Sequence, residues 1–317
     1  MKPAEGFELP EDKAQANRRA MRLEWWTIFF LLTIVTVMYF AMGSSQTMKA
    51  AWLEDLLSLV PPIAILVASR FRTREPNEKF PYGYHRAVSI AFLCASAGLF
   101  AMGALMLYDA ASALVKLERP SIGVVEVFGQ PVWQGWVMIA ALIYSAIPPV
   151  ILGRMKLPLA REIHDKALHA DADMNKADWL TAVAGVVGIT GIAIGWWWAD
   201  SVAAGFISFE VLKDGYRNLR RVVEDLMDSR PTTVDGEVDV TQDRLLENVL
   251  ALDWVESAFV RLREDGHVLI GEIFVVPKRD TDDLAEKAVA MTELARSLDW
   301  RLHDIVTMPV DRIDWDT

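Results

Sequence analysis

Residues 167–198 read ALHADADMNKADWLTAVAGVVGITGIAIGWWW. A polar head leads directly into an apolar run from Trp179 to Trp198. His169 and Asp173 are four residues apart, so a helix places them on one face, one turn from each other. A histidine and a carboxylate at that spacing suit a divalent metal ion. Two ligands do not fill a coordination shell, so the metal reading requires partners elsewhere in the chain. The plainer alternative is a helix end with polar residues at headgroup level. Ionisable groups in a membrane span are expensive and are functional candidates for that reason.

Outward from this stretch, apolar segments dominate. Of 317 residues 53% are apolar, and mean hydropathy is +0.22. The excess comes from separate runs rather than a general bias. Net charge is -11, which argues against a nucleic-acid partner, since that needs a basic face. Cys94, the single cysteine, excludes an intrachain disulfide and reads as a small core or lipid-facing residue. The charged start, Lys2 to Arg22, has no early apolar core or cleavage site, so no signal peptide is expected.

The apolar runs predict six membrane spans, at about 25–43, 50–70, 87–115, 132–153, 166–198 and 199–218. Residues 1–22 form a tail, 23–222 the membrane domain, 223–240 a linker and 241–317 a second domain. The second span carries Glu54 and Asp55 near its start and Pro61-Pro62 in its middle. The third is rich in small residues such as Gly98, Gly103 and Ala104, which let helices approach closely. Pro148-Pro149 break the fourth. The sixth is the weakest, because it carries Asp200, Glu210, Lys213 and Asp214. Trp25-Trp26 and Trp196-Trp197-Trp198 suit interfacial belts. Basic residues gather in the tail (Arg18, Arg19, Arg22), in 70–86, in 154–166 and after 216. By the positive-inside rule this alternation puts both termini in the cytoplasm. Beyond the linker the pattern is that of a soluble domain. A helix at 243–252 precedes strands at 255–263 and 268–276 joined by Asp265-Gly266. A helix at 281–298 and a strand at 301–310 complete an αββαβ order.

Six spans, a small αββαβ domain and His-x-x-x-Asp at the start of the fifth span resemble the cation diffusion facilitator family. Phe80-Pro81-Tyr82-Gly83-Tyr84-His85-Arg86, Ala199-Asp200-Ser201-Val202-Ala203 and Leu226-Met227-Asp228 are similar to its third-span opening, sixth-span start and exit into the cytoplasmic domain. The resemblance runs from about Trp25 to Val310. It implies a six-helix membrane bundle plus a ferredoxin-like, metallochaperone-like α+β domain. It also implies a multi-pass transporter of a bacterial inner membrane, usually a homodimer held partly through the C-terminal domain. The expected activity is proton-coupled export of a divalent cation, with zinc, manganese and iron all open and no organic cofactor. Lipid is the only other partner expected.

In this family the transport site takes two ligands from the second span and two from the fifth, each pair four apart. His169 and Asp173 match the fifth-span pair. In the second span Asp55 matches the first ligand, with Glu54 the alternative. The residue four further on is Leu59 or Ser58, neither a carboxylate. A hydroxyl, a water or a carbonyl freed by the prolines remains to complete the shell. Glu54 beside Asp55 makes the site richer in oxygen, favouring manganese, iron or magnesium over zinc. Asp178 and Lys176 are candidates for the pathway or for groups behind the ligands. Arg86 is a candidate to pair with Asp225 or Asp228, matching a charge interlock in relatives. Asp171 reads as facing solvent and His164 as a solvated loop residue. Family positions for extra metal sites fall on Phe80, Tyr84 and Met308, with His85 displaced by one. His267 and His303 read as exposed, so no regulatory metal cluster is expected in the C-terminal domain. With three strong ligands instead of four, a non-transporting scaffold with a degenerated site is the alternative function. No nucleophile–base set or phosphate loop suggests an enzyme.

Overall fold

The computed structural model describes residues 9–72, 77–84, 86–120, 122–127, 129–279 and 281–313. His85 lies outside them.

Helix α1, Glu11–Ala41, begins well before the predicted first span. Pro10 precedes it, and Glu11 and Asp12 in its first turn favour the positive end of the helix dipole. Its inner face carries Ala16, Ala20, Glu24, Thr27, Leu31, Ile34 and Met38, at helical spacing. Its outer face exposes Trp25, Phe29, Leu32 and Phe40. Large apolar side chains pointing outward from a helical bundle are what a lipid environment selects.

The second span is two helices, α2 (Gln46–Leu57) and α3 (Val60–Arg72). Pro61 and Pro62 carry no N–H, so the carbonyls of Leu57 and Ser58 have no donor one turn later. Helix α4 is Ala87–Val115. A hairpin follows where the sequence suggests only a loop: β1 (Val124–Val127) pairs antiparallel with β2 (Gln130–Trp133). Helix α5, Gln134–Glu162, runs unbroken through Pro148, Pro149 and Pro158 and ends nine residues past the predicted boundary. Lys156 therefore lies inside a helix rather than a basic loop. Helix α6, Lys166–Ala193, is capped by Asp165, whose Oδ1 accepts from the Leu168 N–H at 2.9 Å. It stops five residues short of the prediction, where Gly195 adopts φ +93°. Helix α7 is Ala199–Leu226.

Among the described residues, five helical segments are long and apolar enough to cross a membrane: α1, Gln46–Arg70, Ser89–Val115, α5 and α6. Six are expected from the sequence. Helix α7 covers the range expected for the sixth, but it is amphipathic, burying Ala199, Ala203, Ile207, Val211, Gly215 and Val222 on one face. That face packs on α4 with no room between the backbones. A Cβ on Gly103 falls 2.6 Å from the Leu212 nitrogen, and one on Gly215 falls 2.5 Å from the Phe100 nitrogen. Gly153 does the same for α5 against α6, 2.6 Å from the Ala172 carbonyl oxygen. At the far end Asp200, fully buried, closes the N-terminus of α2. It accepts from Ser45 Oγ (2.5 Å), Gln46 N (2.6 Å) and Thr47 N (3.1 Å).

The C-terminal unit has helix α8 (Thr241–Leu250), strands β3 (Val255–Asp265) and β4 (Val268–Pro277), helix α9 (Leu284–Leu298) and strand β5 (Leu302–Pro309). The sheet order is β3-β4-β5, with β3 antiparallel and β5 parallel to β4. Leu245 and Val249 of α8 join Met291 and Ala295 of α9 over Val260, Leu262, Ile273, Val275 and Ile305. The β3–β4 hairpin reaches the membrane bundle. Lys166 meets Glu264 (2.7 Å) and Asp225 (3.1 Å), and Arg86 meets Asp228 (2.5 Å), which also faces Arg263 (3.3 Å). Two histidines read as solvated are drawn in. His267 is 5% exposed and 3.3 Å from Asp165. His164 is 3.6 Å from Asp239; burial, then the Arg301 charge, lowers its pKa to about 4.

Candidate functional site

Three polar groupings lie between the helices. The first joins α2 to α6. Thr181 Oγ1 donates to Glu54 Oε1 at 3.0 Å. Asp178 is one turn before Thr181 on the same face, within electrostatic reach of Glu54 and Asp55. Glu54 Oε2 and Asp55 Oδ2 are buried and have no hydrogen-bond partner among the described residues. Glu210 and Asp214 of α7 lie within electrostatic reach of Glu54. Ser58 stands one turn after Glu54, its hydroxyl donating to the Glu54 carbonyl at 3.0 Å. The proline break follows at once, leaving the Leu57 and Ser58 carbonyls beside this grouping. Asp178 is twelve residues into α6, about 18 Å along a helix about 42 Å long, so the grouping lies near its middle.

The second grouping is at the end that carries the C-terminal unit. A cavity of about 230 Å³ is lined by Arg161, His169, Asp173, Arg217, Arg221 and Asp235, among others. His169 Nε2 is 3.3 Å from Asp235 Oδ1, to which Arg161 donates at 2.8 Å. Lys176 and Arg217 stand 3.8 and 3.9 Å from Asp173. Nine residues separate His169 from Asp178, about 14 Å along the axis. By sequence, Asp55, His169 and Asp173 are expected in one site. The structure does not bring them together: His169 and Asp173 face the linker and a set of cations, and Asp178 is the residue opposite the second span. Among the described residues no three His, Cys, Asp or Glu side chains converge closely enough to hold a metal ion.

The third grouping is a cluster that the sequence pattern does not reveal. Lys156 of α5 is fully buried, 3.3 Å from Glu24 Oε1 of α1 and hydrogen-bonded to Asp171 Oδ2 of α6. Asn175 Nδ2 donates to the same Asp171 oxygen at 3.1 Å. Asp171, read from sequence as facing solvent, is 2% exposed. The available signal was Glu24 itself, on a face with Ala16, Ala20, Thr27 and Leu31, where a solvated residue has no place.

Residues 25–227 match the family model described as the cation efflux transmembrane domain. The chain belongs to the cation efflux family. The match spans every helix of the membrane bundle from within α1 to the end of α7. This cation efflux protein is thus an integral, multi-pass membrane protein of a transporter family. It is similar to the manganese efflux system protein MneS of Bacillus subtilis (strain 168), 26% identical over 192 residues, which are 59% of this chain and 61% of that protein. It therefore spans about three fifths of the length of that relative. It is 24% identical to the manganese efflux system protein MneP of the same organism over 238 residues, 73% of this chain and 74% of that one. The magnetosome protein MamB of Magnetospira sp. (strain QH-2) is 22% identical over 216 residues, 68% of this chain and 69% of that protein.

Proposed function

We propose that this protein exports a divalent metal cation from the cytoplasm in exchange for protons, through six spans that include α7. Glu54, Asp55 and Asp178 become the anionic ligands when α2 and α6 draw closer than they stand in this structure, with Ser58 and the freed carbonyls completing the shell. The single observation that carries this is the Thr181–Glu54 hydrogen bond, which turns the Asp178 face of α6 onto the two buried carboxylates of α2. Carboxylates, a hydroxyl and carbonyls form an oxygen set, which suits manganese, iron or magnesium better than thiophilic metals. The names of the two Bacillus relatives support manganese as the first candidate. His169 and Asp173 line the approach from the cytoplasm, and the ion passes them before reaching Asp178. Carboxylates must be ionised to coordinate, so metal and protons compete for the site. The C-terminal unit sits in the cytoplasm and pairs with a second copy.

The test is manganese uptake into inverted vesicles. Asp178→Ala and Glu54→Ala abolish uptake, whereas His169→Ala and Asp173→Ala slow it without abolishing it. Full uptake by Asp178→Ala would refute the assignment, and loss only in His169→Ala and Asp173→Ala would move the site to the cavity. A chain inactive in every form, with no metal bound on titration, would favour a scaffold.

A further inference from the structure

The Glu24–Lys156–Asp171 cluster has no counterpart in the metal pathway above, and its charge count is unusual. Two carboxylates and one ammonium are buried together where α1, α5 and α6 meet. A buried ion is tolerated only when paired. Asp171 has the better claim on the cation, since its Oδ2 accepts from both Lys156 and Asn175. Glu24 is held more loosely: its Oε2 accepts from Lys156 at 3.4 Å, while Oε1, 3.3 Å from the ammonium, makes no hydrogen bond among the described residues. Lys156 and Asp171 balance each other, so Glu24 ionised leaves the cluster at minus one and Glu24 protonated leaves it neutral. Asp165, which caps α6, is also in electrostatic reach of Glu24 and adds to the negative side.

The cluster also has a route to the metal grouping. Asp171, Asn175 and Asp178 follow at helical spacing on one face of α6, and Asp171 and Lys156 are both within electrostatic reach of Asp178. Seven residues separate Asp171 from Asp178, about 10 Å of helix axis. A divalent cation at Asp178 raises the potential at Glu24 and favours its ionised form; an empty site favours the protonated form.

We infer that Glu24, held beside Lys156 and Asp171, is a proton-carrying site of the transport cycle that is separate from the metal ligands. This rests on the export reading. One proton adds to the Glu24 carboxylate when the metal site is empty, and the same proton leaves to water when metal binds. No bond other than that O–H forms or breaks.

The experiment uses the full-length protein in proteoliposomes, with manganese as the probe and a pH-sensitive dye inside. Protons moved per manganese are measured for the natural protein, Glu24→Gln, Glu24→Asp and Asp178→Asn. Glu24→Gln is expected to lower the ratio by about one proton and to flatten the pH profile of uptake, and Glu24→Asp to restore both. A natural ratio and pH profile in Glu24→Gln would overturn the inference while leaving the metal site standing. Transport by Asp178→Asn as fast as in the natural protein would instead overturn the reading beneath it. Should Glu24→Gln not fold, infrared difference spectra of the natural protein decide. A protonated-carboxyl band must disappear on adding manganese and must shift in Glu24→Asp; its absence overturns the inference.

Discussion

Replacing Asp200 with alanine tests how the second span is held. Its carboxylate is the acceptor for Ser45 Oγ at 2.5 Å, Gln46 N at 2.6 Å and Thr47 N at 3.1 Å, all at the N-terminus of α2. Alanine leaves the two backbone N–H groups without an acceptor, at about 1–3 kcal/mol each. It also removes a negative charge from a helix N-terminus, worth up to about 2 kcal/mol in a buried setting. The Ser45 hydroxyl rotates to other partners, so the expected loss is about 3–6 kcal/mol. At a few degrees per kcal/mol for a chain this long, the midpoint of thermal unfolding in detergent falls on the order of 10 °C. Asp200→Asn keeps one acceptor oxygen but aims an NH2 at a donor, so its loss is intermediate. Ser45→Ala combined with Asp200→Ala costs less than the sum of the two, because they share one contact. A midpoint for Asp200→Ala within about 2 °C of the natural protein would refute the cap as the tie between α2 and α7.

Gly215→Ala drives a methyl into the Phe100 backbone and must part α4 from α7 by about 1 Å, costing about 1–3 kcal/mol. Gly103→Ala strains the same crossing, so the double variant, followed by thermal unfolding, loses less than both singles together. His164, its pKa lowered to about 4 by burial, stays neutral in the fold while the unfolded chain takes up a proton below about 6.5. Its contribution is therefore present above pH 6.5 and is lost as pH falls towards 4, by about 3 kcal/mol. Subtracting the stability profile of His164→Gln from that of the natural protein isolates this slope, and parallel profiles between pH 6.5 and 4 would contradict it.

The parts of the fold visible in the sequence are those set by local pattern. The apolar runs locate the spanning helices, and Asp265-Gly266 locates the hairpin, whose Gly266 has φ +67°. Where a helix ends is decided less locally. Lys156 and Arg154 look like a loop after an apolar run, but α5 continues to Glu162 because Lys156 finds two carboxylates on other helices. His267 and His164 look exposed until the C-terminal unit is folded back on the bundle. The site was half legible for the same reason. Glu54, Asp55 and Ser58 stand out as polar residues in an apolar span. His169-x-x-x-Asp173 has the more familiar spacing, but which face of α6 meets α2 depends on packing at Gly153 and Thr181. Asp178, a lone carboxylate at the mouth of the Trp179–Trp198 run, is the residue on which the proposed site turns.

The glycine crossings have a mechanical consequence. Gly103 and Gly215 clasp α4 to α7, and Asp200 hooks α2 to the same unit. Gly153 clasps α5 to α6, and Lys156 rivets α1 to that pair. The bundle is thus two halves, each fastened internally by close backbone contacts and joined to the other where Gly188 and Gly191 of α6 meet Ala203 and Ala199 of α7. Glu54 and Asp55 ride on one half and Asp178 on the other, bridged by the Thr181 hydroxyl. A transporter that rocks about such a seam changes its ligand spacing with every stroke while leaving each half intact. In such a machine the grip on the ion is set by the hinge angle rather than by the shape of any one helix.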